Sequence, residues 1–350
     1  MELEIQKFLR ANENALEVLA EKPYNINIKQ DGDLFLFKYG IESAPREPMV
    51  HEARGLILDR ANNWNIVCHP FHRFFNIDEA PAAEVNEPFH VYSKEDGTLS
   101  LIWYYNNEWH FSTSGTINAM ESKFWPLLQK ALASYGMDWR QFTAALHIGT
   151  TYMYELCTVE NRIVVPYHGY HLFYLGERNA NGIESFAPDP RTECVRVFDF
   201  STLEDVRNGA SLLPPTEEGY VVRDDDFNRI KVKNPEYFLL HRMANNGCPD
   251  LWAADDLDEL VSYFPEFSSD AEKIKAQKSQ MEALADNFAA HCRTLFNEER
   301  KLYAEYVNST PPALRAFLFK LYNNHDYTWA AYTSTFTSDK WKQMARALSV

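Results

Sequence analysis

Seven residues, Ser93-Lys94-Glu95-Asp96-Gly97-Thr98-Leu99, separate two stretches with the composition of β-strands, residues 89–92 and 99–105. Gly97 allows the backbone to turn tightly and to approach a ligand closely. Free lysine is protonated and unreactive at neutral pH, but a desolvated pocket or a second cation would lower the pKa of Lys94 and make it a nucleophile. The alternative interpretation of the same stretch is a solvated hairpin turn with ordinary surface charges.

Length and composition allow two domains, with one large domain as the alternative. The chain has 350 residues, of which 45% are hydrophobic. No apolar run has the length of a membrane span, and the N-terminus lacks the features of a signal peptide. The five scattered cysteines, without a C-x-x-C pair, are typical of reduced thiols in the cytosol. We therefore expect a cytoplasmic monomer (in the host cytoplasm if it is viral) that does not bind membranes.

The formal net charge of -16 argues against indiscriminate binding to nucleic acid or to anionic membranes. Any site for a polyanion must therefore be a local basic groove, assisted by cations. His69 and His72 are the histidines whose spacing is closest to that of a metal-ligand pair. No H-E-x-x-H or C-x-x-C sequence supports zinc, so we interpret both histidines as loop or edge residues.

Apolar spacing predicts mostly β-structure in the first two thirds of the chain. We expect helices at residues 3–20 and 118–147, where apolar residues recur at helical spacing. Alternating residues around turn signals predict two hairpins, at 25–39 and 218–233, and the acidic run Asp224-Asp225-Asp226 is interpreted as the solvated tip of the second. Further predicted strands are residues 56–59, 66–69, 99–105, 109–113, 152–156, 163–167 and 170–175.

The composition changes near residue 243. Residues 270–307 are rich in Ala, Glu, Lys, Gln and Leu and contain neither Pro nor Gly, which predicts one long helix or a helix pair. Further helices are predicted at 313–323 and 338–348. We therefore divide the chain into a mixed domain, residues 1–242, and a small helical domain, residues 243–350.

Five short motifs follow one another in order: Arg54-Gly55, Lys94-Glu95-Asp96-Gly97, Tyr154-Glu155, Glu218-Gly219 and Lys231-Val232-Lys233. The last four resemble nucleotidyltransferase motifs I, III, IV and V of the covalent superfamily that contains ATP-dependent ligases and mRNA capping enzymes. In further details, the sequence of roughly residues 50–240 is similar to the phage RNA ligase 1 (tRNA-repair) family. The similar details are Arg73-Phe74-Phe75-Asn76, Asn161-Arg162-Ile163-Val164 and the run E-G-Y-V-V-R. The combination is far more specific than any single motif.

This resemblance implies an ATP-dependent RNA ligase. In that family the motif I lysine attacks the α-phosphate of ATP, forming lysyl-AMP and releasing pyrophosphate. AMP then passes to an RNA 5′-phosphate, and an RNA 3′-hydroxyl displaces AMP to seal the strand. Lys94 matches the nucleophile, and Glu95 and Gly97 of the same motif are assigned to nucleotide binding. The implied partner is RNA with 5′-phosphate and 3′-hydroxyl ends, with nicked tRNA as one candidate.

Lys231 and Lys233 match the motif V lysines and are assigned to catalysis and to nucleotide binding. Residues two apart on a strand point to the same face, so both ammonium groups can reach one phosphate site. Together with a divalent metal they would lower the pKa of Lys94 and neutralise charge on the α-phosphate and the pyrophosphate leaving group.

The remaining site residues are also implied by the resemblance. Glu155 and Glu218 match carboxylates that touch the ribose or hold the metal, here Mg²⁺ or Mn²⁺; for Glu155 the alternative is a salt-bridged strand residue. Arg54 matches a basic residue that engages ATP or RNA phosphates. Arg73 and Phe75 match a second cluster of that kind, with plain packing as the alternative.

Two residues depart from the family pattern. Ser114 stands where motif Ia usually has Lys or Arg, which weakens the case for a phosphate or ribose contact there. Arg223 replaces the usual lysine of motif IV, which keeps the charge but changes its geometry.

Two alternatives to an RNA ligase remain open. Capping enzymes and DNA ligases share K-x-D-G, but an OB-fold follows their motif V, which would show as short strands rather than helices. A non-catalytic RNA-end-binding protein on the same fold is disfavoured by the intact Lys94, Glu155, Glu218, Lys231 and Lys233. The predicted fold class is α+β: an antiparallel-sheet nucleotidyltransferase (ATP-grasp-like ligase) domain followed by an all-helical domain whose role would be to select RNA.

Overall fold

A computed structural model describes residues 2–40, 42–79, 81–237, 244–245, 248–252, 257, 261 and 267–349. The chain divides into two compact units, Met1–His241 and Arg242–Val350. The predicted boundary between residues 242 and 243 lies outside the described residues. Within the described ranges, no helix combines the length and the apolar character needed to cross a membrane.

The first unit begins with two short helices, α1 (Glu4–Ala11) and α2 (Ala15–Ala20), rather than the single helix predicted for residues 3–20. The helix ends because Asn12 has an extended backbone conformation. The hairpin predicted to follow is confirmed, with Ile26 opposite Tyr39. The first sheet has the antiparallel order β1-β2-β3-β4, where the strands are β1 (Ile26–Asp31), β2 (Leu34–Tyr39), β3 (Arg54–Asp59) and β4 (Asn65–Cys68), and α3 (Pro48–Glu52) precedes β3.

Two further sheets complete the unit. Their strands are β5 (Phe75–Asn76), β6 (Phe89–Ser93), β7 (Thr98–Tyr105), β8 (Glu108–Thr113), β9 (Thr150–Thr158), β10 (Tyr170–Asn179), β11 (Glu184–Ser185), β12 (Glu193–Cys194), β13 (Val197–Phe198), β14 (Gly219–Asp224) and β15 (Arg229–Lys233). The second sheet has the order β11-β10-β9-β7-β8, with β12 beside β10, and the third has the order β13-β6-β14-β15-β5. All pairings are antiparallel except β10–β12 and β15–β5. The predicted α+β class with antiparallel sheets is thus confirmed.

Helices α4 (Phe124–Ser134), α5 (Trp139–Thr143) and α6 (Leu203–Ser211) complete the unit. The helical structure predicted for residues 118–147 is confirmed in three pieces: a 3₁₀ turn, Ala119–Glu121, comes first, and Gly136 with φ of +74° separates α4 from α5. Leu128 and Leu132 of α4 are fully buried in a core shared with Tyr154 of β9.

The stretch around Lys94 is a crossover between sheets and not a hairpin turn. Strand β6 pairs with β13 and β14 in the third sheet, whereas β7 pairs with β8 and β9 in the second. Gly97 is required where the crossover meets β9, because a Cβ at this position would lie 2.4 Å from the carbonyl oxygen of Leu156. The close approach that the glycine permits is therefore to a strand.

Asp96 holds the crossover in place. This buried carboxylate accepts hydrogen bonds from the backbone N–H groups of Val164 (2.8 Å) and Val165 (3.0 Å) and from the hydroxyl of Tyr237 (2.8 Å). The strand predicted for residues 163–167 is wrong for this reason: its first N–H groups bond to a side chain instead of to a neighbouring strand.

The second unit is mainly helical. Two-residue strands β16 (Ala244–Asn245) and β17 (Cys248–Pro249) pair with each other. The helix pair predicted across residues 270–307 is confirmed, and Tyr303 donates a hydrogen bond of 2.6 Å to the carbonyl oxygen of Leu318 in the core. The helices are α7 (Ser268–Thr294), α8 (Arg300–Ser309), α9 (Pro312–Asn323), α10 (Trp329–Thr333) and α11 (Ser338–Leu348).

We predict that Asp96→Asn loosens the segment that the carboxylate holds. Both N–H groups bond Oδ2, where a neutral amide oxygen is a weaker acceptor than the carboxylate, and an amide nitrogen replaces Oδ1, so the hydroxyl of Tyr237 loses its acceptor at a cost of about 1–3 kcal/mol. Amide exchange at Val164 and Val165, measured by NMR or mass spectrometry, should accelerate about tenfold or more. Asp33→Asn, in an exposed turn, is the matched control, and unchanged exchange in Asp96→Asn would contradict the assigned role.

Candidate active site

A cavity of about 170 Å³ is lined by residues from all three sheets of the first unit. Its apolar wall includes Phe71, Phe74, Tyr92 and Phe186. Basic side chains outnumber acidic ones on the lining, although the chain as a whole carries a formal charge of -16. The charged lining residues are Arg54, Lys94, Arg223, Arg229, Lys231 and Lys233, which are basic, and Glu95, Glu155 and Glu218, which are acidic.

Glu218, which lines this cavity, forms salt bridges with two lysines. Its Oε2 is 2.6 Å from Nζ of Lys94, and its Oε1 is 3.1 Å from Nζ of Lys233. Burial would raise the pKa of Glu218, but the two ammonium groups outweigh that effect and hold the pKa below its usual value. The carboxylate is therefore ionised and fixes the position of both cations.

Gly219 explains how these groups come together. Its φ is +133°, and a Cβ there would lie 2.3 Å from the carbonyl oxygen of Val232, so only glycine lets β14 begin this close to β15. The carbonyl oxygen of Gly219 accepts a hydrogen bond of 2.9 Å from the backbone N–H of Lys94. The same residue thus joins the crossover to the strand pair that carries Lys233.

The surroundings of Lys94 raise its pKa, whereas the sequence predicts a lowered pKa and a more nucleophilic amine. Burial favours the neutral amine, but the carboxylates of Glu218 and Glu155 outweigh burial and raise the pKa of Lys94. For Lys94 to act as a nucleophile, its contact with Glu218 must first weaken. Positive charge arriving beside the two carboxylates would have that effect.

The lysine with the lowered pKa is Lys231. Burial, together with the nearby Arg54 and Lys94 cations, lowers its pKa to about 7. The ammonium lies 4.8 Å from the ring centroid of Phe74 and forms no salt bridge among the described residues. At neutral pH this group is therefore divided between its charged and uncharged forms, and a bound anion would favour the charged one.

Glu155 projects from the middle of β9, where it lies opposite Leu99 of β7 and Phe173 of β10. Burial raises its pKa to about 7, against the opposing effect of Lys94 and Arg54. In the described part of the chain it has no salt-bridge partner, so the alternative of a salt-bridged strand residue is not what the structure shows. A strand carboxylate of this kind is available to a cation or to a polar ligand.

Arg54, at the start of β3, is a cation that, like the Glu155 carboxylate, is buried without a full set of polar partners among the described residues. Its guanidinium lies over the rings of Phe71 (4.3 Å) and Phe74 (5.0 Å). Nη1 is buried and has no hydrogen-bond partner among the described residues. A buried donor without an acceptor is costly, and a phosphate oxygen in the cavity would satisfy it.

Glu95 also lines the cavity, but its oxygens are already used. One accepts a hydrogen bond from the hydroxyl of Ser93 at 2.5 Å, and the other accepts one from the hydroxyl of Tyr167 at 2.7 Å. We therefore expect Glu95 to fix the crossover rather than to hold a metal.

Three of the residues assigned from the sequence lie elsewhere. Gly97 packs on β9, as described above. Arg73 and Phe75 line a second, larger cavity of about 430 Å³ that is adjacent to the first. Ser114 does not line the first cavity; its Cα would be 2.9 Å from a Cβ at Gly55, so its backbone packs on β3. The assignment of Arg73 and Phe75 to the nucleotide stays a prediction.

In the part of the chain that the structure describes, no group of three or more His, Cys, Asp or Glu side chains is arranged to enclose a metal ion. Glu155 and Glu218 both line one cavity, and Glu155 forms no salt bridge in the described ranges, which fits a magnesium-type ion that keeps waters and substrate oxygens as its other ligands. Both oxygens of Glu218 already contact Lys94 and Lys233, so Glu218 would bind the ion only after giving up one of these contacts.

Comparison with known proteins gives the family. A family model described as RNA ligase matches residues 52–237, more than half of the chain. The chain belongs to this RNA ligase family. The resemblance seen in the sequence is thereby confirmed, and the matched range contains every site residue assigned from the sequence.

Individual relatives are viral. The chain is 25% identical over 403 aligned residues to an RNA ligase of Rhodothermus phage RM378, covering 91% of this chain and 88% of that protein. It is 27% identical over 282 residues to RNA ligase 1 of bacteriophage TS2126, covering 71% and 68%. It is 28% identical over 277 residues to a protein of Autographa californica nuclear polyhedrosis virus named for polynucleotide kinase and RNA ligase activities. That match covers 70% of this chain but only 40% of the length of the viral protein.

Some of the residues that line the cavity carry a sequence signal that the motifs alone do not use. Arg229 lines the cavity on the same face of β15 as Lys231 and Lys233, and the period of two that links the lysines extends to it. Tyr92 likewise lies two residues before Lys94. Phe186, by contrast, comes from a distant segment, and no local pattern indicates it.

The pKa of Lys231 leads to a pH prediction. As the pH rises above 7 the free protein loses this proton, whereas a bound phosphate retains it, so binding must take up a proton. Affinity for AMP, measured by calorimetry without metal between pH 7.5 and 9, should fall by up to about tenfold per pH unit, since the phosphate of AMP is already a dianion in this range.

Lys231→Met should bind AMP more weakly at pH 7.5 and with a flatter dependence on pH. Lys29→Met, at an exposed position on β1, should keep the slope of the unaltered protein. An undiminished slope in Lys231→Met would show that another group takes up the proton.

Proposed function

We propose that the protein is an ATP-dependent RNA ligase that joins RNA 5′-phosphate and 3′-hydroxyl ends through lysyl-AMP and RNA-adenylate intermediates. The observation that carries the proposal is the convergence of Lys94, two carboxylates and an excess of basic groups on one cavity, in a chain of the RNA ligase family. Net negative charge elsewhere restricts phosphate binding to this focal basic region.

In the first step, the uncharged amine of Lys94 attacks the α-phosphorus of ATP. A nitrogen–phosphorus bond forms, the bond to the pyrophosphate oxygen breaks, and pyrophosphate leaves with the electron pair. Arg54, Lys231 and Lys233 would bind the phosphate oxygens, because charge accumulates there and on the leaving group. Lys94 releases two protons to solvent: one when the ammonium gives up its contact with Glu218 and becomes the amine, and one from the nitrogen as the bond to phosphorus forms.

In the second step, an oxygen of the RNA 5′-phosphate attacks the same phosphorus, the bond to Lys94 breaks, and the nitrogen of Lys94 takes up a proton from solvent as it leaves. In the third, the 3′-hydroxyl oxygen of the other strand attacks the RNA phosphorus, its proton is lost, and AMP leaves. Each step displaces an oxygen or nitrogen from phosphorus in the same charged surroundings, so one set of cations can serve all three.

Mg²⁺ or Mn²⁺ is the metal that these residues fit, with Glu155 and Glu218 as the protein ligands. When bound it supplies positive charge that lowers the pKa of Lys94 and stabilises the leaving group. The metal fits because Glu155 has no salt bridge in the described ranges and because the arrangement leaves most of the ligand sphere to water and phosphate oxygens.

We further propose that broken tRNA is a substrate and that the helical unit, Arg242–Val350, selects the RNA. The support for this finer assignment is the sequence resemblance to the tRNA-repair family. The unit carries a well-packed core of its own, built around residues such as Phe317 and Trp329. It can therefore act as a separate recognition module.

The protein mixed with magnesium and α-labelled ATP, after discharge with pyrophosphate, should give a labelled band on a denaturing gel. Lys94→Ala should abolish the band, because the variant lacks the proposed nucleophile. The label should then pass to 5′-phosphorylated RNA and not to DNA of the same sequence. Lys130→Ala, an exposed lysine paired with Glu160, is the matched control and should label normally.

Other outcomes assign other functions. A band formed only with GTP would identify a capping-type enzyme, and transfer to DNA would identify a DNA ligase. Absence of a band with either nucleotide, after the pyrophosphate treatment has removed any AMP already attached, would leave a binding protein. Persistent labelling of Lys94→Ala would move the nucleophile to another residue.

A further inference from the structure

Lys38 is a cation beside the first cavity to which the proposed function assigns no role. It lies on β2, directly opposite Arg54 on β3. Opposite residues on paired strands have Cβ atoms about 4.5–5.5 Å apart, so the two side chains leave the sheet as neighbours. Because Arg54 lines the first cavity and is proposed to bind phosphate, a second cation stands next to a phosphate-binding group.

A β-bulge at Gly55 brings Lys38 and Arg54 to the same face of the sheet. Phe37 lies opposite Leu56. The next residue on β2, Lys38, lies opposite Arg54, so Gly55 is an extra residue on β3. Its φ of +92° is in the left-handed region that favours glycine. Without this extra residue Arg54 would point to the face of Leu56, because side chains alternate along a strand, and bulges re-aim side chains in this way.

The packing of the neighbouring residues agrees with this placement. Leu36, two residues before Lys38, points the same way and belongs to the buried cluster that contains Phe71. The guanidinium of Arg54 lies 4.3 Å from the ring centroid of Phe71. Phe37, on the opposite face, packs in a separate core. Lys38 and Arg54 therefore face the same space.

The ammonium of Lys38 lies beside the turn that follows β8. A Cβ added at Gly115 would be 3.2 Å from its Nζ and 3.5 Å from its Cδ, so the end of the side chain rests on this glycine. The preceding residue, Ser114, packs its backbone against Gly55 of the bulge. The position at which the sequence has Ser114 instead of the usual basic residue thus has a cation from β2 next to it.

No carboxylate in the described ranges neutralises this ammonium. Lys38 forms neither a salt bridge nor a side-chain hydrogen bond with another described residue, and it lines an open cavity of about 800 Å³. The carboxylate of Glu42, which lines the same cavity, lies 3.6 Å from Nζ of Lys22. An accessible ammonium beside Arg54, whose buried Nη1 also lacks a partner among the described residues, is suited to an anion with several charges.

We propose that Lys38 binds the terminal phosphate of ATP and holds the pyrophosphate as it leaves. The inference rests on the proposed ligase function, in which Lys94 attacks the α-phosphorus. Lys94 and Arg54 line the first cavity and Lys38 lies outside its lining, so a triphosphate that starts at Lys94 and passes Arg54 reaches Lys38 with its far end. Negative charge grows on the pyrophosphate as its bond to the α-phosphorus breaks, and Lys38 would stabilise that charge without exchanging a proton.

This placement separates the reactions of the enzyme into two groups. AMP has no terminal phosphate, so its binding should not depend on Lys38. Transfer of AMP to RNA takes place after pyrophosphate has left and should not depend on Lys38 either. Labelling by ATP and its reversal by pyrophosphate both involve the far end of the triphosphate, and both should depend on this ammonium.

Two uncharged variants and one control test the assignment. Lys38→Met removes the ammonium and keeps the stem that packs on Gly115. Lys38→Gln is the second uncharged variant and takes its place if the first binds AMP poorly. Lys29→Met is the matched control, because Lys29 is an exposed lysine on the adjacent strand β1. Each full-length protein is first treated with pyrophosphate to remove any attached AMP.

Four quantities are measured on each protein: the ATP concentration at the half-maximal rate of labelling, the pyrophosphate concentration at the half-maximal rate of discharge, the affinity for AMP, and the KM for 5′-phosphorylated RNA in the transfer of AMP. Lys38→Met should raise the first two about tenfold, as expected for one lost charge-assisted hydrogen bond, and should leave the other two within twofold. Lys38→Arg should recover part of the loss. Lys29→Met should leave all four unchanged.

The proposal is overturned if the half-maximal concentrations of ATP and pyrophosphate are unchanged in Lys38→Met. An increased KM for RNA with normal values for ATP would also overturn it and would place an RNA phosphate at Lys38. An equal loss of affinity for AMP in both uncharged variants would overturn it too, since Lys38 would then act on the α-phosphate. Failure of the unaltered protein to label would refute the ligase function itself, so the two failures are distinguishable.

Discussion

The contact between Glu218 and two lysines is the interaction on which the site depends. A buried carboxylate is tolerable only because Lys94 and Lys233 compensate it, and removing Glu218 would leave two neighbouring ammonium groups without the carboxylate they share. The contact exists because Gly219 lets β14 and β15 approach at their ends and because the crossover returns to the carbonyl oxygen of Gly219. The same few residues thus compensate the buried charge and set the backbone geometry, so a change that separates β14 from β15 at this point would disrupt both.

The surrounding groups are left incompletely satisfied. Arg54 has a buried nitrogen with no hydrogen-bond partner among the residues that the structure describes, Lys231 has a pKa of about 7, and Glu155 is a carboxylate with a raised pKa. Groups of this kind cost stability in the free protein, and they are found where a ligand supplies what is missing. The cavity therefore contains one satisfied ion cluster that fixes geometry and a set of unsatisfied groups around it.

The sequence predicts the strands, the second hairpin and the C-terminal helices well, because these depend on local spacing. It fails where a distant side chain competes for the backbone: Asp96 takes the N–H groups of Val164 and Val165, and the predicted strand becomes a loop. The period of two correctly places Lys231 and Lys233 on one face, but no local rule assigns β6 and β7 to different sheets. Likewise, Asp224 belongs to an acidic run read as a solvated tip, yet it is 1% exposed because it accepts hydrogen bonds from Asn86 and Asn228.

Placing Lys94 on a crossover has a mechanical consequence. Glu218 directly precedes β14 and Lys233 lies on β15 of the third sheet, whereas Glu155 belongs to the second, and the crossover is one of the covalent connections between the two. A small shear of one sheet against the other would therefore change the separation of the two carboxylates while leaving Lys94 attached to Glu218. Lys94 would then move with the third sheet. The distance between the carboxylates of Glu155 and Glu218 would be set by how the two sheets pack against each other, not by a single side chain.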